Sequence, residues 1–192
     1  MDLAIQKPYT IKSKPLSLKY DYVFFLMVFA FGGFFGFFYE TLFYWIDLGY
    51  ITKRGMTFGP WIPIYGFGGI LLILLTEKTR EKPLLLFILS TLICGFLEYL
   101  TGYILYNSFN VRFWNYNTEI WNWGNIGGFV CLRSLIFFGL SALFLQYFIR
   151  PVFEYIANKI TKKILRFLLI LPGILFSIDI IISSLIFYSN LI

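Results

Sequence analysis

Histidine is absent from this chain of 192 residues, and only two cysteines are present. The lack of histidine removes the usual general base of enzymes and the commonest ligand of transition metals. Cys94 and Cys131 both fall in long apolar segments, so their positions indicate neither a disulfide framework nor a zinc site. The sequence therefore predicts no metal and no cofactor.

Charged residues are also scarce, at 14% of the chain, whereas 59% of the residues are hydrophobic. A soluble domain carries about 25% charged residues, so this composition indicates an integral membrane protein. The sequence has no G-x-x-x-x-G-K-[ST] phosphate loop and leaves no room for a nucleotide-binding ATPase domain. The net charge is +6, but the lysines and arginines fall mainly in short loops. There they set membrane topology, so no nucleic-acid partner is predicted.

The apolar segments predict an all-α fold, a polytopic integral membrane bundle of about five transmembrane helices. The first segment, residues 22–48, is long enough to cross a bilayer with some tilt. Pro172 and Gly173 interrupt the last one, for which a crossing span and a re-entrant segment both stay open. The predicted spans are residues 22–48, 58–76, 83–107, 127–149 and 167–189.

The distribution of basic residues predicts the orientation of these spans. Lysines and arginines concentrate before the first span, in residues 77–82 and in residues 150–166. Because such segments remain in the cytoplasm, the N-terminus is placed inside. We therefore expect a multi-pass protein of the cell inner (cytoplasmic) membrane.

The remaining parts of the chain are assigned by composition. Residues 1–20 are interpreted as a basic cytoplasmic tail near anionic membrane lipids, and residues 21–192 as a single membrane domain. Within that domain, apolar residues at helical spacing among lysines predict an amphipathic surface helix over residues 152–166.

Residues 54–69, R-G-M-T-F-G-P-W-I-P-I-Y-G-F-G-G, contain two prolines and five glycines between two apolar spans. Proline removes a backbone donor and glycine weakens a helix. In hydrocarbon each freed backbone group must find a partner inside the protein. This stretch is therefore either the tightly packed start of a helix or the wall of a polar cavity.

Ionisable residues fall at one depth in the outer half of the predicted spans. At ~1.5 Å per residue, Glu40 and Glu98 lie ~12–13 Å below the outer surface, and Tyr65 and Arg133 lie ~9–10 Å below it. Asp179 lies slightly deeper, at ~15 Å. A charge at mid-membrane costs roughly 2.5 kcal/mol or more, so these groups are expected to avoid lipid.

Two interpretations of this layer stay open. In one, Glu40 or Glu98 pairs with Arg54 or Arg133 and pins helices together. In the other, a hydrated pocket opens to the outside and is lined by Glu40, Tyr65, Glu98, Tyr99 and the 54–69 stretch. Two carboxylates in such a pocket suit proton coupling, cation binding or acid–base chemistry.

Several short motifs resemble the type IV ABC-transporter family of CmpB-like bacterial membrane proteins, which are labelled ABC transporter permeases. They are Y-E-T (39–41), R-G-x-x-x-G-P-W-I-P-I-Y-G-F-G (54–68), L-E-Y-L-T-G (97–102), F-W-N-Y-N (113–117) and C-L (131–132). The similarity covers about residues 25–152. Where the family usually has W-D-Y-S, this chain has Trp114, Asn115, Tyr116 and Asn117, so an acidic side chain is missing.

The resemblance implies a membrane transport component, and the layer of ionisable residues predicts that it binds a small solute in the outer half of the membrane. If ATP drives it, the ATPase is a separate subunit on the cytoplasmic surfaces of residues 77–82 and 150–166. No catalytic residue is assigned. The predicted ligand-binding residues are Glu40, Arg54, Pro60, Pro63, Tyr65, Glu98, Tyr99, Trp114, Tyr116 and Arg133.

Two alternatives belong to other functional classes. One is a membrane-embedded enzyme acting on a lipid or isoprenoid, with Glu40 or Glu98 as acid or base and Arg54 or Arg133 on a phosphate. Lack of a recognisable nucleophile and base argues against it. The other is a binding or regulatory membrane protein whose recognition surface is the tryptophan-rich segment 108–125.

Overall fold

The computed structural model describes residues 22–189, apart from the side chains of Lys162, Arg166 and Tyr188. The predicted basic tail, residues 1–20, lies outside this range. The described part is all-helical, which confirms the predicted fold class. Its helices are α1 Tyr22–Leu48, α2 Pro63–Thr76, a 3₁₀ turn Glu77–Thr79, α3 Pro83–Phe109, α4 Leu132–Phe144, a π-helical turn Leu145–Ile149, α5 Arg150–Lys159 and α6 Lys162–Ser189.

Four helices among residues 22–189 are long and apolar enough to cross a membrane. They are Tyr22–Leu48, Pro83–Phe109, Leu132–Lys159 and Lys163–Phe187. The second predicted span is shorter than expected, because its helix begins only at Pro63 and has 14 residues. At ~1.5 Å per residue it extends ~21 Å, against ~30 Å for the hydrocarbon core. Pro63 occupies the first turn, where its missing N–H costs nothing.

Glycines on α1 allow α2 to approach closely. A Cβ on Gly32 would lie 2.6 Å from the Tyr65 carbonyl oxygen, and one on Gly36 would lie 2.2 Å from the Tyr65 ring. On the opposite helix, a Cβ on Gly66 would meet Phe29 at 2.7 Å. The Ile62 N–H also donates to the Gly33 carbonyl at 3.0 Å. The small residues therefore set the distance between the first two helices.

The prediction of a single amphipathic helix over residues 152–166 is wrong. The structure divides it between the end of α5 and the start of α6, because the backbone becomes extended at Ile160. Its apolar side chains Phe153, Ile156 and Ile160 pack against a buried cluster that includes Val23 of α1 and Leu165 of α6. An amphipathic pattern alone does not tell whether the apolar face meets lipid or protein.

Two prolines lie inside long helices. Pro151 follows the π-helical turn Leu145–Ile149, so that Leu132–Lys159 runs as one continuous helix. A proline ring collides with the carbonyl four residues earlier, and the wider π turn relieves that collision. Pro172, predicted to interrupt the last span, lies inside α6 without ending it.

Candidate functional site

Glu40 connects three separate parts of the chain. Its Oε1 accepts a hydrogen bond from the Tyr65 hydroxyl of α2 at 3.0 Å. Its Oε2 accepts one from Nε of Arg54, in the loop before α2, at 3.1 Å. The predicted pairing of Glu40 with an arginine is therefore confirmed. Gly36, one turn before Glu40, leaves the space that the Tyr65 ring fills.

An aromatic side chain connects the Glu40–Arg54 ion pair to a second ion pair. The Arg54 guanidinium lies 3.5 Å from the centre of the Tyr44 ring, and the Tyr44 hydroxyl donates to Glu119 Oε1 at 2.5 Å. The other oxygen of Glu119 accepts from Arg133 at 2.5 Å, and these two side chains are 5% and 13% exposed. Arg133 therefore pairs with Glu119, and not with Glu98 or Glu40.

Among the residues that the structure describes, the hydrogen-bond partners of Glu98 are two hydroxyl groups. Its Oε1 accepts from the Tyr116 hydroxyl at 2.6 Å, and its Oε2 accepts from Ser134 Oγ at 2.9 Å. The Arg133 guanidinium lies 5.3 Å from the centre of the Tyr116 ring, which links this pair of bonds to the rest. No ion pair of Glu98 exists within residues 22–189.

These side chains form one continuous set, which we call the polar network. It joins α1, α2, α3 and α4 through the loops 49–62 and 110–131, and it contains three carboxylates and two guanidinium groups. If all five are ionised, its net charge is −1. Its members are Glu40, Tyr44, Arg54, Tyr65, Glu98, Tyr116, Glu119, Arg133 and Ser134.

The 110–131 segment folds onto the bundle and delivers Tyr116 and Glu119. It begins at Asn110, whose left-handed backbone (φ 54°) ends α3. Gly128 has φ 81°, and a Cβ there would lie 2.6 Å from three polar side chains of the segment. Trp114 Nε1 donates to the Phe129 carbonyl at 2.9 Å. Trp114 thus stabilises the fold of this segment and is not a member of the polar network.

Burial and the neighbouring Glu98 carboxylate raise the pKa of the Tyr116 hydroxyl above its ordinary value. Tyr116 is 8% exposed and remains neutral at any physiological pH. It therefore acts as a permanent hydrogen-bond donor to Glu98.

α4 begins at the network. The Cys131 N–H donates to Ser134 Oγ at 3.3 Å, and Ser134 Oγ lies 2.8 Å from the Cys131 carbonyl. This capping arrangement fixes the first turn of α4, which carries Arg133 and Ser134. Cys131 itself is fully buried and contributes its backbone.

The other predicted ligand-binding residues have different surroundings. Tyr99 stacks on Tyr103 and meets Phe129 edge-on at 5.7 Å, in an aromatic cluster beside the network. Pro63 starts α2, and Pro60 is exposed in the turn before it. That turn is held by Thr57, whose hydroxyl donates to the Trp61 carbonyl at 2.6 Å.

Asp179 lies apart from the network and binds the 57–62 turn. Its two oxygens accept the N–H groups of Phe58 and Gly59, each at 2.7 Å, and Ser183 Oγ donates to the first oxygen at 2.9 Å. A groove of about 380 Å³ lies beside it, lined by Phe58, Gly59, Trp61, Leu175, Ile178 and Asp179.

A second charged cluster lies at the other end of α2, and the sequence reasoning missed it. Arg150 is fully buried and binds both oxygens of Glu77, Glu154 Oε1 at 2.7 Å and Gln146 Oε1 at 2.9 Å. Gln146 Nε2 donates to Thr76 Oγ1 at 3.0 Å. The spacing of Gln146, Arg150 and Glu154, four residues apart on one helix face, was the available signal.

Sequence reasoning also missed Tyr44, Glu119 and Ser134 in the network. Glu119 lies in a polar loop, where an acidic residue gives no hydropathy signal. Tyr44 and Ser134 are uncharged residues of apolar helices, where nothing in the pattern distinguishes them.

Comparison with known proteins identifies the family. The model of the family described as Putative ABC-transporter type IV matches residues 27–184. The chain belongs to this family. The match includes every residue of the polar network and Asp179 as well. No curated protein and no solved structure matches the chain. The type IV assignment agrees with the resemblance of the short motifs and with the four helices that could cross a membrane.

Proposed function

We propose that this type IV family member is the membrane component of a transporter, with a binding site for a small solute in the polar network. The observation that carries the proposal is Glu98, a carboxylate on a membrane helix whose described partners are two neutral hydroxyls. Carboxylates within membrane helices are normally paired with a cation, and one without such a partner indicates function.

The charge of the network supports a class of solute. Glu40 and Glu119 each contact an arginine, so Glu98 supplies the excess negative charge. A proton or a cationic group of a solute would offset it. The bound solute would therefore replace the hydroxyl bonds of Glu98 by a charge-assisted contact.

Entry of the solute requires the network to open, because its polar groups bond to one another in this structure. Tyr116 and Glu119 both come from the 110–131 segment, whereas Glu40 and Tyr65 lie on tightly packed helices. We therefore assign the opening movement to this segment, which would lift from the outer ends of α1, α3 and α4.

The arginine contacts favour transport over the membrane-enzyme alternative. That mechanism needs Arg54 or Arg133 on a substrate phosphate, yet Arg54 contacts Glu40 and Arg133 contacts Glu119. A substrate phosphate would first have to separate these pairs, of which Arg133–Glu119 is the more buried, at 13% and 5% exposure.

In an ATP-driven transporter, the ATPase would be a separate subunit on the cytoplasmic side, as the family suggests. Residues 77–82 and the α5–α6 junction would form its surface. The exposed basic side chains Lys78, Lys82, Lys159 and Lys163 lie in these segments.

Native mass spectrometry of the protein released from membranes in mild detergent tests the site. We expect a bound small molecule with the wild type and its loss in Glu98→Gln. Glu81→Gln, an equal charge change at an exposed position of the 77–82 loop, is the matched control and should keep the ligand. The site would be contradicted if both variants retained the ligand. It would also be contradicted if none of the three proteins carried a ligand after incubation with excess membrane extract.

A further inference from the structure

Asp179 has an unusual set of partners for a carboxylate in a membrane helix. It is 9% exposed, and its two oxygens bind the backbone N–H groups of consecutive residues, Phe58 and Gly59. Within the described chain it makes no ion pair. The two amides belong to the irregular turn before α2, where no helix or sheet would satisfy them.

Two consecutive amides that point at one group form an anion-binding concavity. Here each of them lies 2.7 Å from a carboxylate oxygen, which is the short distance typical of a charged acceptor. Lys53 adds a positive charge nearby, because its Nζ lies 4.7 Å from the centre of the Phe58 ring. The turn is therefore a site for an anionic oxygen pair, and Asp179 fills it.

The helix that carries Asp179 has features that favour bending. Most side chains of α6 are exposed within the described structure, and Pro172 removes one helical hydrogen bond seven residues before Asp179. Gly173 contacts nothing where a Cβ would project. Such a Pro-Gly pair is a point of bending. Beyond it, α6 contacts the turn through Asp179 and through Phe176, whose ring meets Trp61 at 5.8 Å.

The groove beside Asp179 combines apolar walls with a polar end. Trp61, Leu175 and Ile178 form apolar walls, and the amide pair of Phe58 and Gly59 lies at its polar end. An apolar chain would lie along the walls while an anionic head reached the amides.

We propose that the Phe58 and Gly59 amides bind the anionic head of an amphipathic molecule, and that Asp179 occupies this site as an internal substitute in the ligand-free protein. The ligand enters from the lipid side as the outer part of α6 bends away at Pro172 and Gly173. This inference does not rest on the transport proposal, because it uses none of the polar network.

The amide of Phe58 can be observed directly. Thr57-Phe58 is the only Thr-Phe pair in the chain, so ¹³C-carbonyl threonine combined with ¹⁵N-phenylalanine labels this single amide. The full chain in nanodiscs of zwitterionic phosphatidylcholine is titrated with dodecanoate. Dodecanol, which has the same chain without the charge, is the control ligand.

Three variants separate displacement from structural damage. Asp179→Asn and Asp179→Ala remove the internal competitor. If Asp179 fills the site nine-tenths of the time, its removal tightens the apparent dodecanoate affinity roughly tenfold. Ser177→Ala, on the same helix with its hydroxyl on the Gly173 carbonyl, should behave as wild type.

We expect dodecanoate, and not dodecanol, to shift the Phe58 amide resonance in every variant, with the tighter affinity in both Asp179 variants. A second arm replaces part of the phosphatidylcholine by phosphatidylglycerol. A shift with phosphatidylglycerol alone identifies a lipid headgroup as the source of the anion, and a shift with dodecanoate alone identifies a free fatty-acid type of ligand. A Phe58 resonance that neither anion moves, in wild type and Asp179→Asn alike, overturns the proposal.

Discussion

Glu98 and Glu119 are the same type of residue in one network, but their partners give them opposite roles. Glu119 is the acceptor for Arg133 and Tyr44, whereas Glu98 accepts from Tyr116 and Ser134. A glutamine at 98 keeps the shape and an acceptor oxygen, and it removes the excess charge. A glutamine at 119 leaves the Arg133 guanidinium buried beside a neutral group.

We therefore predict that Glu119→Gln destabilises the protein by about 3–5 kcal/mol, whereas Glu98→Gln leaves stability within about 1 kcal/mol or raises it. Thermal denaturation of both variants in the same detergent measures the difference. Equal losses would mean that Glu98 also holds the helices together and would weaken its assignment to solute binding.

Asn115 stands where the motif that this chain resembles has an aspartate, and its contacts are ones that either residue can make. Its Oδ1 accepts from the Asn117 N–H at 3.2 Å and from Arg112 at 3.3 Å. An amide and a carboxylate offer the same acceptor oxygen there.

Asn115→Asp is accordingly expected to keep the fold and to gain between 0 and about 1 kcal/mol from the partly exposed Arg112. Asn115→Leu, which removes the acceptor at similar volume, should lose about 1–3 kcal/mol. Denaturation midpoints compare the two. A loss of stability in Asn115→Asp would show that the NH₂ group of Asn115 makes a necessary bond.

At the scale of elements, the contact between α1 and α2 decides where the network forms. Tyr65 reaches Glu40 because its ring lies on Gly36 and its backbone on Gly32. In contrast, a Cβ on Gly68 of α2 would have nothing within 4 Å, so no close contact requires a glycine at this position.

Gly32→Ala should therefore destabilise the protein by about 1–3 kcal/mol, because the added methyl meets backbone that cannot rotate away. Gly68→Ala is the matched control and should gain up to about 1 kcal/mol from helix propensity. Unfolding in detergent checks both. A neutral Gly32→Ala would mean that the two helices separate readily.

The sequence predicts these elements unevenly, for physical reasons. Hydropathy and the helix-starting Pro83 locate α1 and α3 well, since both are long and apolar. Hydropathy places the start of α2 too early, because it does not distinguish the extended turn 57–62 from the helix after it. It also misses the division between α5 and α6, which depends on the packing of Phe153, Ile156 and Ile160 against other helices.

For the site, sequence reasoning found the charged residues of the helices but not their pairing. The prediction grouped Glu40, Tyr65, Glu98 and Arg133 only because they lie at a similar depth in the predicted spans. The partner of Arg133 depends on how the 110–131 segment folds back, which rests on long-range bonds such as that from Trp114 to Phe129. Periodicity carries no information about such bonds.

At the scale of the whole molecule, two charged clusters are joined by the same two elements. α2 carries Tyr65 in the polar network and ends at Thr76 and Glu77 in the Arg150 cluster, twelve residues or ~18 Å away. The continuous helix Leu132–Lys159 starts beside Arg133 and Ser134 and contains Arg150. Each of the two helices therefore carries residues of both clusters, and we expect a change at one cluster to be transmitted along them to the other.

Arg150→Met tests this link, because methionine fills the space but leaves Glu77 and Gln146 without their cation. We predict faster hydrogen exchange along the whole of α2 and in the first turn of α4, beyond the immediate neighbours of position 150. Breaking a buried pair costs about 3–5 kcal/mol, enough to raise local opening along a 14-residue helix. Hydrogen–deuterium exchange with mass spectrometry in nanodiscs measures it, with Lys159→Met, the loss of an exposed charge on the same helix, as the control. Faster exchange confined to residues 76–82 and 146–154 would show that the two clusters act independently, so that a subunit bound at the inner end would need another route to the polar network.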